Sequence, residues 1–228
     1  MGLVRKLLRK IGLWRRKIPL LWRLVRFDPT LAFGSEEFRR LYAQAEPRTL
    51  VGKARCLWLW RLAKFTAGKE GEIAEVGVYK GGTARILARA CPQKTVHLFD
   101  TFAGMPEVRP EIDSHKPGDF GDTSLEAVEA FLKDCANVRL HPGFFPETAA
   151  GLEDRRFCFV NVDVDIYSST KACLEFFYPR MVPGGAMAFD DYNWQGCAGV
   201  KQAIDEFLDG KPEQAIEMES LQCVIFKA

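Results

Sequence analysis

Four aspartates in two short segments are the residues whose type and spacing best suit chemistry. Asp163 and Asp165 stand at the end of one apolar run, and Asp190 and Asp191 stand at the end of the next. Carboxylates held this close repel one another unless a cation lies between them. Oxygen ligands suit Mg²⁺, which keeps some of its waters. The pattern predicts a divalent-cation site, and the alternative is that Asp165 and Asp191 only cap the elements that follow.

A second candidate site begins with the glycine-containing segment 75–83, E-V-G-V-Y-K-G-G-T. Glycines permit a tight turn and a close approach of the backbone to a ligand. Glu75 is a charged residue in a buried strand, which is unusual without a partner. Asp100 ends the next apolar run, where a carboxylate can accept hydrogen bonds from a ribose diol. Enzymes that use NAD or S-adenosylmethionine both place an acid there, but the segment lacks the G-x-G-x-x-G spacing of dinucleotide sites.

The elements that must position these residues alternate between strands and helices. Helices are predicted at 36–45 and 53–66, before any strand. Strands are predicted at 72–78, 95–100, 137–142, 157–164 and 185–190, and helices at 82–91, 123–135, 168–178 and 197–209. Such alternation indicates a parallel sheet with crossover helices, and ligands bind beyond the carboxyl ends of its strands. The last strands, 214–219 and 221–227, predict an antiparallel hairpin at one edge.

The first 27 residues differ from the rest of the chain in charge. They carry nine basic side chains and no acidic one, while the whole chain has 32 basic and 30 acidic residues. Apolar residues recur at steps of three and four, which is typical of an amphipathic helix, and Pro19 divides it. The arm either lies on an anionic membrane surface or packs on the acidic body or a second subunit. Nucleic acid is not an expected partner, because no binding module follows.

The seven cysteines and the apolar runs bear on location. The cysteines are scattered, without a C-x-x-C pair, and indicate buried free thiols in a reducing cytoplasm. We find no apolar run of the roughly 20 residues that a membrane span needs, and no signal peptide. We therefore expect a cytoplasmic protein, with contact at the inner membrane surface through residues 1–27 left open. A homodimer is also left open.

The segments described above together resemble the macrocin O-methyltransferase family. The similarity covers roughly residues 48–210, in the family's order, and a more distant similarity extends to the catechol and caffeoyl-CoA O-methyltransferases. It rests on E-V-G-V-Y-K-G-G-T (75–83), L-F-D-T-F-A-G-M-P (98–106), G-D-F-G-D-T-S-L-E-A-V (118–128), D-V-D-I-Y-S-S-T-K (163–171), L-E-F-F-Y-P-R (174–180) and P-G-G-A-M-A-F-D-D-Y (183–192).

The resemblance implies a Rossmann-like class I methyltransferase that uses S-adenosylmethionine and Mg²⁺. Its α/β fold would be a seven-stranded, mostly parallel sheet with an antiparallel last strand and helices on both faces. The chain would divide into the arm (1–27), a helical cap or lid (28–70) and the S-adenosylmethionine-binding domain (71–228). Expected cofactor-binding residues are Glu75, Gly77, Tyr79, Gly81, Thr83, Asp100, Thr101, Asp122, Thr123, Ser124, Gly143, Phe144 and Asp163.

The resemblance also implies the chemistry at the second site. Asp163, Asp190 and Asp191 would coordinate the metal, and Asp163 or Asp165 would take the proton of the acceptor hydroxyl. No lysine follows Asp163 at the place that the catechol enzymes use for a base, so a carboxylate base is favoured. The expected reaction is O-methylation of a sugar or a small natural product. The alternatives are a membrane-surface or partner-binding protein that retains the fold, and an NAD-dependent oxidoreductase.

Three segments of the sequence are expected to contact the acceptor. They are 28–70, 105–121 and 193–200. They contain Trp58, Trp60 and Trp194, which either stack on a sugar ring or pack in the core. Of the three histidines, His97 is expected to be structural and His115 to lie in a loop, while an approach of His141 to the cofactor is the less favoured alternative for that residue.

Overall fold

The computed structural model describes residues 34–228. The basic arm predicted at 1–27 and the first residues of the predicted cap lie outside this range, so the membrane and partner alternatives stay predictions. Residues Glu36–Ala228 form one compact unit. Within the described residues, no helix has both the length and the apolar character that a membrane span requires.

Helices and strands follow one another in the predicted order. The helices are α1 (Glu36–Ala45), α2 (Lys53–Thr66), α3 (Gly82–Ala90), α4 (Leu125–Leu132), α5 (Tyr167–Phe177) and α6 (Ala198–Leu208). The strands are β1 (Glu72–Val76), β2 (Val96–Asp100), β3 (Val138–Pro142), β4 (Phe157–Val162), β5 (Met181–Phe189), β6 (Ile216–Glu217) and β7 (Cys223–Phe226). Both early helices have the predicted bounds, whereas several strands differ from prediction by a few residues.

The seven strands of residues 34–228 form one sheet in the order β3-β2-β1-β4-β5-β7-β6. Strands β1 to β5 are parallel, while β7 runs antiparallel to β5 and to β6. The predicted fold is therefore confirmed, including the terminal hairpin. The chain order reverses between β1 and β4, and this switch point is where open α/β sheets bind ligands.

Helices cover both faces of the sheet because alternate strand residues point to opposite sides. On one face, Ile73 and Phe159 pack with α2, α3 and α4. On the other face, Val160 packs with α5 and α6 around Phe177, which is fully buried. A side chain of this size contributes about 1.5–3 kcal/mol when it is fully buried. The site described below is held by this two-sided core.

The helices that precede the sheet are packed into the same unit. Phe38 of α1 and Leu57 of α2 bury against Ile86 of α3. Gly82 begins α3, and a Cβ atom there would lie 2.8 Å from the carbonyl oxygens of both Ala45 and Arg48. The segment between α1 and α2 therefore lies directly on the glycine turn that follows β1, which brings α2 to the candidate site.

The cysteines agree with the prediction of free thiols. All seven lie within the described residues, and all are buried and unpaired. Burial raises the pKa of Cys91 to about 11, so that this thiol stays protonated at neutral pH.

Candidate active site

A cavity of about 370 Å³ opens at the carboxyl ends of the parallel strands. This volume is within the range of small-molecule sites. Neighbouring strands end at the same level, since Val76 pairs with Phe99 and Val162, and Val162 pairs with Phe189. The predicted residues that border the cavity are Gly77, Tyr79, Thr83, Asp100, Thr101, Gly143, Phe144, Asp163, Asp165, Asp190 and Asp191.

Strand β1 ends at Val76, two residues earlier than predicted, because the chain turns at Gly77. The φ of Gly77 is +89°, and its N–H donates to the carbonyl of Phe99 at 3.0 Å. A Cβ atom at this position would lie 1.7 Å from the carbonyl oxygen of Asp163. Only glycine fits here, because any side chain would collide with the backbone at the end of β4. The turn thus brings the predicted cofactor-binding segment 75–83 into contact with Asp163, the first of the four predicted aspartates.

Asp100 is held by backbone donors on two sides. Its Oδ2 accepts hydrogen bonds from the N–H groups of Val78 at 2.7 Å and Tyr79 at 2.8 Å. Its Oδ1 accepts from the N–H of Phe102 at 2.7 Å. Hydrogen bonds to an ionised carboxylate are among the stronger ones in proteins. The carboxylate is therefore fixed in the cavity wall, with lone pairs left for a ligand's hydroxyl groups.

Some predicted cofactor residues support the wall instead of bordering the cavity. Asp122 accepts hydrogen bonds from the hydroxyl of Tyr79 at 2.9 Å and from Nζ of Lys80 at 2.5 Å. The hydroxyl of Thr123 donates to the carbonyl of Tyr79 at 2.6 Å. Ser124 caps α4, and Gly81 begins the turn into α3 with φ at +87°. Asp122 and Thr123 hold Tyr79 in place, whereas Ser124 and Gly81 shape the starts of two helices, so all four would contribute to a ligand indirectly.

Glu75 lies wholly inside the protein and does not border the cavity. Its Oε1 accepts a hydrogen bond from Nδ2 of Asn161 at 2.8 Å. Burial raises the pKa of this carboxyl group to about 8. Glu75 therefore joins β1 to β4 beneath the site, and at neutral pH it is mostly protonated.

Three of the four predicted aspartates gather at the other end of the cavity. Carboxylate oxygens of Asp163, Asp165 and Asp191 all lie within 4.8 Å of one another. Burial and repulsion from the neighbouring carboxylates raise the pKa of Asp163 and of Asp165 well above the usual range. A set of carboxylate oxygens this close fits a divalent cation with oxygen ligands, because such an ion offsets the repulsion.

Asp190, the fourth aspartate, already has partners on both oxygens. Its side chain is 2% exposed. Oδ1 accepts a hydrogen bond from Nε2 of Gln222 at 2.8 Å, and Oδ2 accepts one from Nη1 of Arg55. Burial raises the pKa of Asp190 to about 7, against the opposing effect of Arg55. The three aspartates whose carboxylate oxygens lie close together, which we call the close oxygen group, thus include Asp165. The predicted metal ligands included Asp190 in its place.

Arg55 of α2 is a site residue that the sequence analysis missed. Its Nη1 donates to Asp190 and lies 3.3 Å from Oδ1 of Asp191. The guanidinium therefore supplies positive charge to the acidic cluster, a name we use for Asp163, Asp165, Asp190 and Asp191 together. Arg55 lies 135 residues before Asp190 in the sequence. Nothing in the local sequence marks Arg55, and its only signal is that four clustered carboxylates require positive charge.

The aromatic and histidine residues separate into site and core. Trp194 and His115 border the cavity, and His115 lies with its Nε2 3.9 Å from Oδ1 of Asp165. Trp58 and Trp60 do not border it. His97 is structural as predicted, since its two ring nitrogens contact His141 at 2.9 Å and Glu72 at 3.0 Å. His141 contacts His97 and stacks on Phe99, and it does not border the cavity.

Comparison with known proteins identifies the family to which this site belongs. Residues 34–227 match the family model described as Macrocin-O-methyltransferase (TylF). The chain belongs to this family. The match includes the cavity and both helices that precede the sheet, and it extends beyond the range over which the motifs showed the resemblance.

A similar protein of known activity agrees with this assignment. The 8-demethyl-8-(2,3-dimethoxy-alpha-L-rhamnosyl)-tetracenomycin-C 4'-O-methyltransferase of Streptomyces olivaceus is 33% identical over 148 residues, which are 57% of this chain. This chain spans 56% of the length of that relative.

Two solved structures share the fold. The O-methyltransferase NovP matches with a TM-score of 0.70 and 24% identity, over 79% of this chain and 82% of NovP. The O-methyltransferase TomG from Streptomyces achromogenes, solved in complex with SAM, has a TM-score of 0.57 and 16% identity. That match covers 85% of this chain and 91% of TomG. At these identities the likeness concerns the fold alone.

Proposed function

We propose that the protein transfers a methyl group from S-adenosylmethionine to a hydroxyl oxygen of a sugar or small natural product. The observation that carries the proposal is one cavity with a fixed carboxylate, Asp100, in its wall after β2 and a cluster of carboxylates after β4 and β5. Membership of the macrocin O-methyltransferase family supports it. The relative from Streptomyces olivaceus is named for methylating the oxygen of a rhamnosyl compound, which supports a sugar acceptor.

The residues after β1 and β2 would hold the cofactor. Asp100 is oriented by three backbone N–H groups, so it can accept hydrogen bonds from a ribose diol without rearranging. The left-handed backbone at Gly77 keeps this wall free of a side chain. A site already formed in this way loses less conformational freedom when the ligand binds.

The carboxylates after β4 would promote the transfer itself. S-adenosylmethionine supplies an activated methyl group, so the protein must orient the donor and deprotonate the acceptor. The acceptor oxygen forms a bond to the methyl carbon while the carbon–sulfur bond breaks, and the hydroxyl proton passes to Asp163 or Asp165. A raised pKa makes each of these carboxylates a stronger proton acceptor than an ordinary aspartate. The products are a methyl ether, S-adenosylhomocysteine and a protonated carboxyl group.

We further propose that a divalent cation, in the simplest case Mg²⁺, binds at the acidic cluster. Asp163 and Asp191 belong both to the predicted ligand set and to the close oxygen group, and the third ligand is Asp190 or Asp165. When bound, such an ion lowers the pKa of a coordinated hydroxyl. Paramagnetic resonance of Mn²⁺ tests this without turnover: Asp191→Asn should abolish binding, and Asp165→Asn and Asp190→Asn distinguish the third ligand. Unchanged Mn²⁺ binding in Asp191→Asn would contradict the proposed site.

Calorimetry with the purified protein tests the central proposal. We expect S-adenosylmethionine and S-adenosylhomocysteine to bind with dissociation constants on the order of micromolar. A protein that binds neither compound would not be a methyltransferase of this kind. Incubation with labelled S-adenosylmethionine and extracts of the source cell should then reveal an acceptor that gains one methyl group.

A further inference from the structure

Exposed apolar side chains concentrate around the cavity. Seven large hydrophobic side chains are exposed among the described residues, and four of them, Leu50, Phe144, Trp194 and Leu221, border this one cavity. Trp194 is 52% exposed and Leu221 is 37% exposed. Apolar groups grouped in this way mark a binding surface, whereas single exposed ones are ordinary.

Trp194 and Leu221 stand at the acidic end of the cavity. The N–H of Trp194 donates to the carbonyl of Asp191 at 3.1 Å. Leu221 immediately precedes Gln222, whose side chain donates to Asp190. The backbone of Trp194 is thus bonded to that of Asp191, and Leu221 is the chain neighbour of a residue bonded to Asp190. We term Trp194 and Leu221 the acceptor platform, because under the proposed function the acceptor hydroxyl lies beside these aspartates.

The acceptor platform is rigidly constructed. The N–H of Asn193 donates to the carbonyl of Leu221 at 3.0 Å, which ties its two segments together. A Cβ atom on Gly196 would lie 2.7 Å from Nε1 of Trp194, so the indole occupies space that only glycine leaves open. Leu221 itself has φ at +75°, a conformation that costs energy for a branched side chain. Backbone strain held in place by surrounding hydrogen bonds is characteristic of ligand sites.

The charges around the cavity restrict what can lie on the acceptor platform. Five aspartates border the cavity, and four of them, those of the acidic cluster, lie at the end occupied by the acceptor platform, where the guanidinium of Arg55 is already engaged with two of them. A divalent cation would offset only part of this negative charge. A phosphate or diphosphate group would therefore be repelled at this end, while an uncharged ring would bury apolar surface against the indole.

We propose that Trp194 and Leu221 select an uncharged acceptor that presents an apolar ring beside the hydroxyl to be methylated, and that they disfavour sugar nucleotides. This inference rests on the proposed function and adds the residues that set its specificity. It requires the sugar to carry an apolar group, such as an aromatic aglycone, that reaches the indole of Trp194.

The test is calorimetry of the protein loaded with S-adenosylhomocysteine. The probes are phenyl α-L-rhamnoside, methyl α-L-rhamnoside and the thymidine-diphosphate ester of rhamnose. We expect the phenyl glycoside to bind roughly five- to tenfold more tightly than the methyl glycoside, because stacking on an aromatic ring adds to burial. The nucleotide should bind more weakly than either. Trp194→Ala should remove the preference for the phenyl glycoside and leave the affinity for S-adenosylhomocysteine unchanged.

Matched variants separate the acceptor platform from general effects. Trp58 is 40% exposed and does not border the cavity, so Trp58→Ala should retain the preference. Leu221→Ala should weaken the binding of the phenyl glycoside, whereas Ile216→Ala, on an exposed leucine-sized residue outside the cavity, should not. Tighter binding of the nucleotide, an unchanged preference in Trp194→Ala, or no glycoside binding at all would overturn the inference. Failure of the wild-type protein to bind S-adenosylhomocysteine would instead refute the proposed function.

Discussion

Replacing Arg55 by alanine should destabilise the protein in a way that depends on pH. Asp190 is 2% exposed, and Arg55 is the cation that contacts it within the described residues. Removing one partner of a buried ion pair costs about 3–5 kcal/mol when the remaining group stays charged. Asp190 can avoid part of this cost by taking up a proton, since burial already raises its pKa to about 7. The loss should therefore be small at acid pH and large at alkaline pH.

The direction of the pH effect follows from the raised pKa. A carboxyl group whose pKa is higher in the folded state makes folding less favourable as pH rises from its unfolded pKa to its folded pKa. In the wild-type protein the decline due to Asp190 ends near pH 7. Without Arg55 the folded pKa rises further, so the decline continues by about 1.4 kcal/mol for each additional pH unit. We expect a difference of about 1–2 kcal/mol at pH 6 and of about 3–4 kcal/mol at pH 8.5.

Thermal unfolding followed by circular dichroism at both pH values, in the presence of EDTA, measures this effect. Each kcal/mol corresponds to roughly 2–4 °C in a protein of this size. Lys64→Ala is the control on the same helix, because its ion pair with Glu37 is exposed and contributes less than about 1 kcal/mol. Asp190→Asn should rescue Arg55→Ala at alkaline pH. An equal loss at both pH values, or no rescue, would refute the role assigned to Arg55.

Three further predictions concern the proposed cofactor end of the site. Gly77→Ala should destabilise the protein by at least about 4 kcal/mol in denaturant titrations, because its Cβ would overlap the carbonyl of Asp163. Gly151→Ala is the control: Gly151 also has a positive φ, but a Cβ there would have no atom within 4 Å, so the variant should lose only about 1–2 kcal/mol. Similar losses in the two variants would contradict the proposed collision. Glu75→Gln should melt higher than the wild-type protein at pH 8 but not at pH 4.5, because the stability lost as pH rises toward the folded pKa of about 8 is absent from an amide. A pH-independent difference in melting temperature would argue against that raised pKa. Asp100→Asn should weaken S-adenosylhomocysteine binding in calorimetry by roughly tenfold or more, since an amide cannot accept all three backbone hydrogen bonds; unchanged affinity would exclude Asp100 from the cofactor site.

The order of the elements could be predicted because hydrophobic periodicity is a local property. The ends of the strands were less predictable. Strand β1 was expected to reach residue 78, but the positive φ of Gly77 turns the chain, and the N–H groups of Val78 and Tyr79 bond to Asp100 instead of to a neighbouring strand. Strand β5 begins at Met181, four residues earlier than predicted, because Met181 pairs with Phe157 before a register shift.

The candidate site was predictable where its residues adjoin strands and unpredictable where they do not. Asp100, Asp163 and Asp191 follow strand ends, so the carboxyl-edge rule places them together. Arg55 and Leu221 come from segments far from these strands in sequence, and only packing of α2 and the terminal hairpin brings them to the cavity. Long-range contacts of this kind depend on tertiary structure, which the residue types in those segments do not reveal.

The hydrogen bond that Gln222 donates to Asp190 links the order in which the chain is translated to the assembly of the site. Gln222 immediately precedes β7, which pairs antiparallel with β5, and β5 leads into Asp190. During translation the five parallel strands emerge first, and at that stage Asp190 lacks its amide donor. The acidic cluster therefore attains its final hydrogen bonding only after the last strand has been added. A nascent chain without that hairpin would hold the glycine turn and Asp100 but would lack the residues that border one side of the acidic cluster.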